Sequence, residues 1–217
     1  MRFLITAGPT REPIDPVRYL SNRSSGKMGY AIAQAALDAG HDVILVSGPV
    51  AIDSPRGAKL ISVSTSDEMF DAVHQHAADR DVVVMCAAVA DYKPATVSPN
   101  KIKKGDQVFS LELLPTRDIL ASLAKPRRKF LLVGFAAETQ NLEENAQKKL
   151  WHKNCDIIVA NDVSKARSGM ESDENEVTVL FRNGRKEKFA HASKKKIARE
   201  LVKIFSNVRE NCLTKKM

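Results

Sequence analysis

The chain of 217 residues carries 34 Lys and Arg against 26 Asp and Glu, a net charge of +8, with 43% hydrophobic residues. That apolar share excludes a wholly disordered chain, no apolar run approaches the roughly 20 residues that span a bilayer, and Gly8 interrupts the N-terminal apolar run too early for a secretory signal. The expectations are one large domain over residues 1–210, a disordered tail at 211–217, no membrane partner and a cytoplasmic location.

Residues 2–7 form an apolar run rich in β-formers, ended by Gly8-Pro9, and predict a first strand. A polar insertion follows, then a helix over residues 26–39 closed by Gly40 and a strand over 42–46. Strands predicted at 59–63, 81–87, 129–134 and 155–160 alternate with helical patterns at 66–78, 116–124 and 141–152. Such alternation implies an α/β, Rossmann-like, mainly parallel open sheet with helices on both faces. Antiparallel additions are expected at two places. Residues 107–113 alternate like a half-exposed strand, and residues 176–181 and 186–189 flank Asn183-Gly184, a hairpin turn signal. Residues 192–208 read as an amphipathic helix with Ile197, Leu201, Ile204 and Phe205 on one side. Cys86, Cys155 and Cys212 lack any Cys-x-x-Cys spacing and are expected as reduced thiols without zinc. The five histidines read as surface residues.

Chemistry is concentrated in the loops after the strands. Gly8-Pro9-Thr10-Arg11-Glu12 and Ser24-Ser25-Gly26-Lys27-Met28-Gly29 bracket the insertion. Gly8 and Gly26 let backbone approach a ligand, and the free amides where the helix opens suit a phosphate; a stretched turn capped by Ser24 or Ser25 is the plainer alternative. Within the insertion, Arg18 suits a phosphate or carboxylate. Asn22 suits a developing acyl oxygen or the alignment of a nucleophile, or simply a turn. Asp91, at the end of the fourth predicted strand, suits a ribose hydroxyl, a metal or a loop cap. Lys101-Ile102-Lys103-Lys104 is a basic loop, either offsetting triphosphate charge or a solvated face. In Gly134-Phe135-Ala136-Ala137-Glu138-Thr139, Phe135 would stack on a base or fill core, with Lys149 and Lys153 four apart on one face of the next helix.

Taken together, residues 5–22, 24–29, 87–92, 101–104 and 134–139 closely resemble the phosphopantothenate-cysteine ligases, also called phosphopantothenoylcysteine synthetases, in order from Arg2 to about Asp162. The chain resembles a stand-alone bacterial form that lacks the flavin-dependent decarboxylase domain, so no FMN is expected. The resemblance implies that CTP, with Mg²⁺, activates 4′-phosphopantothenate as an acyl-cytidylate, and that the amine of L-cysteine displaces CMP, a step of coenzyme A biosynthesis. It implies catalytic roles for Asn22, Arg18 and Lys101. Nucleotide binding falls on Asp91, Phe135, Lys149 and Lys153, with Ala87 near the base and the loops carrying Gly8, Thr10, Ser24 and Gly26 around the phosphates. No metal ligand is implied. The family is generally dimeric, with the antiparallel additions at 107–113 and 176–189 as a pairing surface.

Leu114-Pro115-Thr116-Arg117-Asp118-Ile119 departs from the Lys-Asn-Pro-Asp-Ile of many bacterial members, and eukaryotic relatives of the family can prefer ATP, the alternative to CTP here. A nicotinamide-dependent reductase is the competing enzyme. Its acidic ribose-binding residue should end the second strand, where this chain has Val46-Ser47-Gly48-Pro49. A nucleic-acid-binding module would use the excess positive charge and the clusters Lys194-Lys195-Lys196 and Lys215-Lys216, but 6% aromatics and dispersed charge argue against it, and no nucleic acid partner is expected.

Overall fold

The computed structural model describes residues 1–126, 128–162 and 171–214. In chain order its elements are β1 (Arg2–Ala7), β2 (Arg11–Pro13), β3 (Tyr19–Ser21), α1 (Lys27–Asp38), β4 (Asp42–Ser47), β5 (Lys59–Ser62), α2 (Ser66–Ala77) and β6 (Val82–Met85). There follow β7 (Tyr92–Pro94), β8 (Leu113–Pro115), α3 (Ile119–Leu123), β9 (Leu131–Glu138), α4 (Leu142–His152), β10 (Ile157–Asp162), β11 (Glu174–Phe181), β12 (Lys186–Ser193) and α5 (Lys194–Thr214).

One eight-stranded sheet runs in the order β12-β11-β10-β9-β6-β1-β4-β5. The six strands from β10 to β5 are parallel, and β11 and β12 join antiparallel at one edge. Strands buried on both faces need apolar residues at every position, and β1 supplies Phe3, Leu4 and Ile5, all without exposed surface. Successive side chains feed opposite layers. Phe3 and Ile5 join Ile32 of α1 and Leu201 and Phe205 of α5, while Leu4 joins Met69 of α2, Ile119 of α3 and Leu150 of α4. The helices start for local reasons. Thr65 and Glu68 form a reciprocal capping box on α2, whereas α1 opens at Gly26 in a left-handed conformation with no side-chain cap.

Three predicted elements change. Residues 107–112 form no strand; only Leu113–Pro115 pairs, with β7, because Val108 and Phe109 are 94% and 61% exposed and their alternation has no face to cover. The polar insertion instead folds as the hairpin β2–β3. The last helix begins two residues later than predicted, since Ala192 and Ser193 still pair with β11, and it continues through Thr214 with no Gly or Pro to stop it. Helical residues 211–214 thus replace part of the expected disordered tail; 215–217, including Lys215-Lys216, lie outside the described residues. Among the described residues no helix is long and apolar enough to cross a membrane.

Candidate active site

The chain leaves β1 to build α1 and β4 on one side, then crosses to β6 on the other, so the carboxyl ends of β1 and β6 diverge at a switch point where open α/β sheets bind ligands. Two loops are laced together there. Thr6 Oγ1 accepts hydrogen bonds from the amides of Cys86 and Ala87, both at 3.1 Å, which turns the chain off the end of β6. Thr10 Oγ1 accepts from the Ala90 amide at 3.0 Å, and the amide of Ala88 donates to the Gly8 carbonyl at 2.9 Å. Asn22, at the end of the β2–β3 hairpin, donates Nδ2 to the carbonyls of Ala88 and Val89, both at 3.1 Å.

These loops form one wall of a cavity of about 600 Å³, within the usual range for small-molecule sites. Asn22, Ser24, Gly26, Ala87 and Asp91 line it from this side, and Phe135, Lys149 and Lys153 from the other. Ser24 Oγ accepts from the Gly26 amide at 3.3 Å. The uncapped start of α1, with no acidic residue in its first turn, leaves amide donors and a partial positive charge facing the cavity.

On the far wall, Lys149 Nζ donates to the Phe135 carbonyl at 2.8 Å, and burial holds its pKa below that of an ordinary lysine. Lys153 pairs with Asp118, whose other carboxylate oxygen caps α3 by accepting from the Ala121 amide at 2.8 Å. Burial acts to raise the Asp118 carboxyl, but Lys153 and the Ala121 amide outweigh it and keep it ionised to lower pH than usual. Thr116 closes the wall: its amide donates to the Asp91 carbonyl at 2.9 Å and its hydroxyl to the Ala90 carbonyl at 2.6 Å. The divergent Arg117 also lines the cavity, stacked over Phe70 at 3.8 Å and paired with Asp67 and Asp71 at 2.9 and 3.1 Å. Lys194, at the start of α5, sits in the same cavity with its pKa lowered by burial and then by Lys27. In the sequence Asp118 stood out only within the Leu114–Ile119 stretch that departs from the family's pattern, and Lys194 only as one of a basic run.

Four residues singled out in the sequence lie elsewhere. Gly8 (φ +74°) does not line the cavity; an added Cβ would stand 2.9 Å from Val50 Cγ1 and 3.0 Å from the Gly48 carbonyl, so its freedom serves the crossing of two loops. Thr10 is fully buried and holds the Ala88–Ala90 segment. Arg18 lies in the β2–β3 turn, donating Nη1 to Asp15 at 2.9 Å and Nη2 to the Ile102 carbonyl at 3.1 Å. Lys101 is exposed beside Ile102 and does not line the cavity. Among the described residues there is no group of three or more His, Cys, Asp or Glu placed to hold a metal ion. Burial raises the Cys86 thiol, on the cavity floor, to about 12, so it is no nucleophile at neutral pH.

Known proteins are similar to this chain in sequence and fold. The "Coenzyme A biosynthesis bifunctional protein CoaBC" of Bacillus subtilis (strain 168) is 48% identical over 200 residues, 92% of this chain and 49% of that protein. The protein of the same name from Escherichia coli (strain K12) is 48% identical over 192 residues, 86% of this chain and 47% of that protein. The chain therefore spans about half the length of these curated relatives. A crystal structure of the C-terminal domain of a CoaBC protein superposes with a TM-score of 0.83 at 45% identity, covering 97% of this chain and 96% of that one. Residues 1–208 match the family described as the DNA/pantothenate metabolism flavoprotein C-terminal domain, and the chain belongs to that family.

Proposed function

We propose that this chain is a phosphopantothenate-cysteine ligase: CTP activates the carboxylate of 4′-phosphopantothenate as an acyl-cytidylate with loss of pyrophosphate, and the amine of L-cysteine displaces CMP to form the amide. The observation that carries this is the cavity itself, which brings Asn22, Asp91, Phe135 and Lys149 together from four separate segments at the switch point. Its relatives' names place them in coenzyme A biosynthesis.

The physical roles follow from the geometry. The bare α1 terminus, Lys149 and Lys194 offset the charge of a polyphosphate and favour its departure. Phe135, with its carbonyl fixed by Lys149, offers a face to the base. Asn22 has committed Nδ2 to two carbonyls, so its Oδ1 is left as an acceptor. That favours alignment of the attacking amine over donation to the acyl oxygen. A mixed anhydride hydrolyses if water reaches it first, and the Lys101 loop, outside the cavity, is the element suited to cover it.

Magnesium fits this donor set in one way. Mg²⁺ binds through one or two carboxylates together with substrate phosphates, and Asp91 supplies a cavity-lining carboxylate while Asp118 is occupied with Lys153. The ion would neutralise phosphate charge.

A homodimer is part of the proposal. Val17, Tyr19, Tyr92, Leu113 and Leu114 expose 41–59% of their surface on the hairpins β2–β3 and β7–β8, an apolar patch that suits a second copy. The edge strand β12 suits it less, because Lys186 and Lys188 there pair with Glu143.

The test is pyrophosphate release by purified protein given 4′-phosphopantothenate and Mg²⁺ with CTP or ATP, with and without cysteine, alongside mass detection of the amide. Product with CTP supports the proposal; product with ATP alone replaces the nucleotide; no product with either, from folded protein, refutes the ligase.

A further inference from the structure

Asp91, Thr116 and Asp118 of the cavity wall do not ride on the main sheet. They flank β7 and β8, a ribbon of three residue pairs, and residues 95–112 between the two strands contain no helix or strand. A two-stranded ribbon is marginal alone and needs a larger element to hold its place. The bond from the Thr116 amide to the Asp91 carbonyl, 2.9 Å, ties the two strand ends to each other.

The larger element is α2, and one carboxylate makes the join. Asp67, in the first turn of α2, accepts from Lys93 Nζ of β7 through Oδ2 and, through Oδ1 at 2.9 Å, from Nε of Arg117, two residues past β8. Arg117 Nη2 reaches the Asp67 carbonyl at 3.2 Å and Asp71 Oδ1 at 3.1 Å, and the guanidinium carbon stands 3.8 Å from the centre of the Phe70 ring. Both strands of the ribbon are thereby joined to a helix whose Met69 and Val73 have no exposed surface. Lys93, and then Arg117, outweigh the effect of burial and keep Asp67 ionised to lower pH than an ordinary carboxyl.

We infer that Asp67 and Arg117 are positioning residues: their ion pair, together with Lys93, latches the β7–β8 ribbon to α2 and so sets where Asp91 and Asp118 stand in the cavity. This rests on the ligase reading above for the nucleotide as the ligand of that wall. Arg117 lines the cavity, but its Nε and Nη2 donors are turned to α2, so it serves binding through the backbone it holds. Asp118 follows it directly in the chain, and Thr116 before it carries the bond to Asp91. A wall that wanders weakens apparent affinity by the fraction of time it is in place. Lys93, Asp67 and Arg117 are 34–45% exposed, and ion pairs of that kind are individually weak, so a latch built of several is worth a few-fold and not orders of magnitude.

Two variants separate the latch from a nucleotide contact. Asp67→Asn removes the charge that both cations share and leaves Arg117 in place, whereas Arg117→Met keeps an apolar chain over Phe70 and removes the donors. In ligand-free protein, amide exchange at Thr116 should quicken about tenfold in both variants, with the melting temperature within about 3 °C of the wild type. In turnover, KM for CTP should rise about threefold in either variant while kcat and KM for cysteine stay within about twofold. A protein that is merely less stable would instead lose active enzyme, lowering kcat at unchanged KM. Arg117→Met should add less than about twofold once Asp67→Asn is present.

Unchanged exchange at Thr116 in both variants would overturn the latch. So would a KM for CTP that rises in Arg117→Met but not in Asp67→Asn, the mark of a direct contact, a lower kcat at unchanged KM, or losses that multiply in the double variant. A wild-type protein that makes no product would refute the ligase reading instead, and the exchange measurements at Thr116 would still decide the latch.

Discussion

Replacing Gly29 by alanine sets two effects of opposite sign against each other. Inside a helix, glycine to alanine gains up to about 1 kcal/mol in propensity. In this position, however, the new Cβ would lie 2.6 Å from Ala7 Cβ and 3.1 Å from both Ala7 Cα and the Thr6 carbonyl oxygen. Carbon atoms in contact prefer about 3.5–4.0 Å. Ala7 ends the central strand, paired with β4, so the sheet cannot yield and α1 must lift by about 1 Å to restore that spacing. Overpacking of this kind costs about 1–3 kcal/mol, leaving a net loss of up to about 2 kcal/mol once the propensity gain is set against it. At about 2–4 °C per kcal/mol for a chain of this size, the midpoint should fall by up to about 8 °C. Because Gly26 and Lys27 ride on the same helix end, nucleotide affinity should fall as well. Thermal and urea unfolding followed by circular dichroism would read it, with Gly105→Ala, where an added Cβ meets nothing within 4 Å, as the control. A Gly29→Ala protein melting at or above the wild-type temperature would refute this account of how α1 seats on β1.

Asn22→Ala should leave CTP binding within about threefold while amide formation falls at least about a hundredfold, read by calorimetry and by product mass; undiminished amide formation would remove Asn22 from the mechanism. Lys149 titrates below its ordinary range because its charged form is penalised by burial. Between the depressed pKa and 10.5 the unfolded chain holds the extra proton, so stability should rise with pH through that window, and the rise should vanish in Lys149→Met. A polyphosphate bound nearby would restore the charge, so nucleotide binding at pH values between the depressed pKa and 10.5 should take up protons, measurable by calorimetry in buffers of different ionisation enthalpy; equal heats across buffers would place the phosphates elsewhere.

The parallel core was legible because each strand is an apolar run long enough to stand out, and because Asn183-Gly184 names its own turn. The hairpin β2–β3 was not, since its strands are three residues each and prolines at 13 and 16 read as loop. Residues 107–112 show the opposite failure: an alternating pattern predicts a strand only where a second layer waits to cover one face. Much of the cavity could be assembled from loop motifs, because strand ends in a parallel sheet converge on one edge. Asp67 could not, as its meaning depends on bonds from Lys93 and Arg117, and no local pattern reports a partner 50 residues away. Gly8 was legible as a special backbone position, but whether the space beside it serves a ligand or another loop is a three-dimensional question.

The pairing of α1 with α5 joins the beginning of the chain to its end, with Ile32 and Ala33 in the same apolar layer as Ile197, Leu201 and Phe205. His41, stacked on Phe3 of β1, extends that link, with its Nε2 3.1 Å from Ser206 Oγ. During synthesis at about 5–20 residues per second, the inner face of α1 waits roughly 10–30 s for its cover. A ribosome that stalls before the last helix leaves the nucleotide-side strands formed beside an open apolar seam, so loss of the C-terminus should be met in the cell as aggregation or proteolysis before any defect in catalysis is felt.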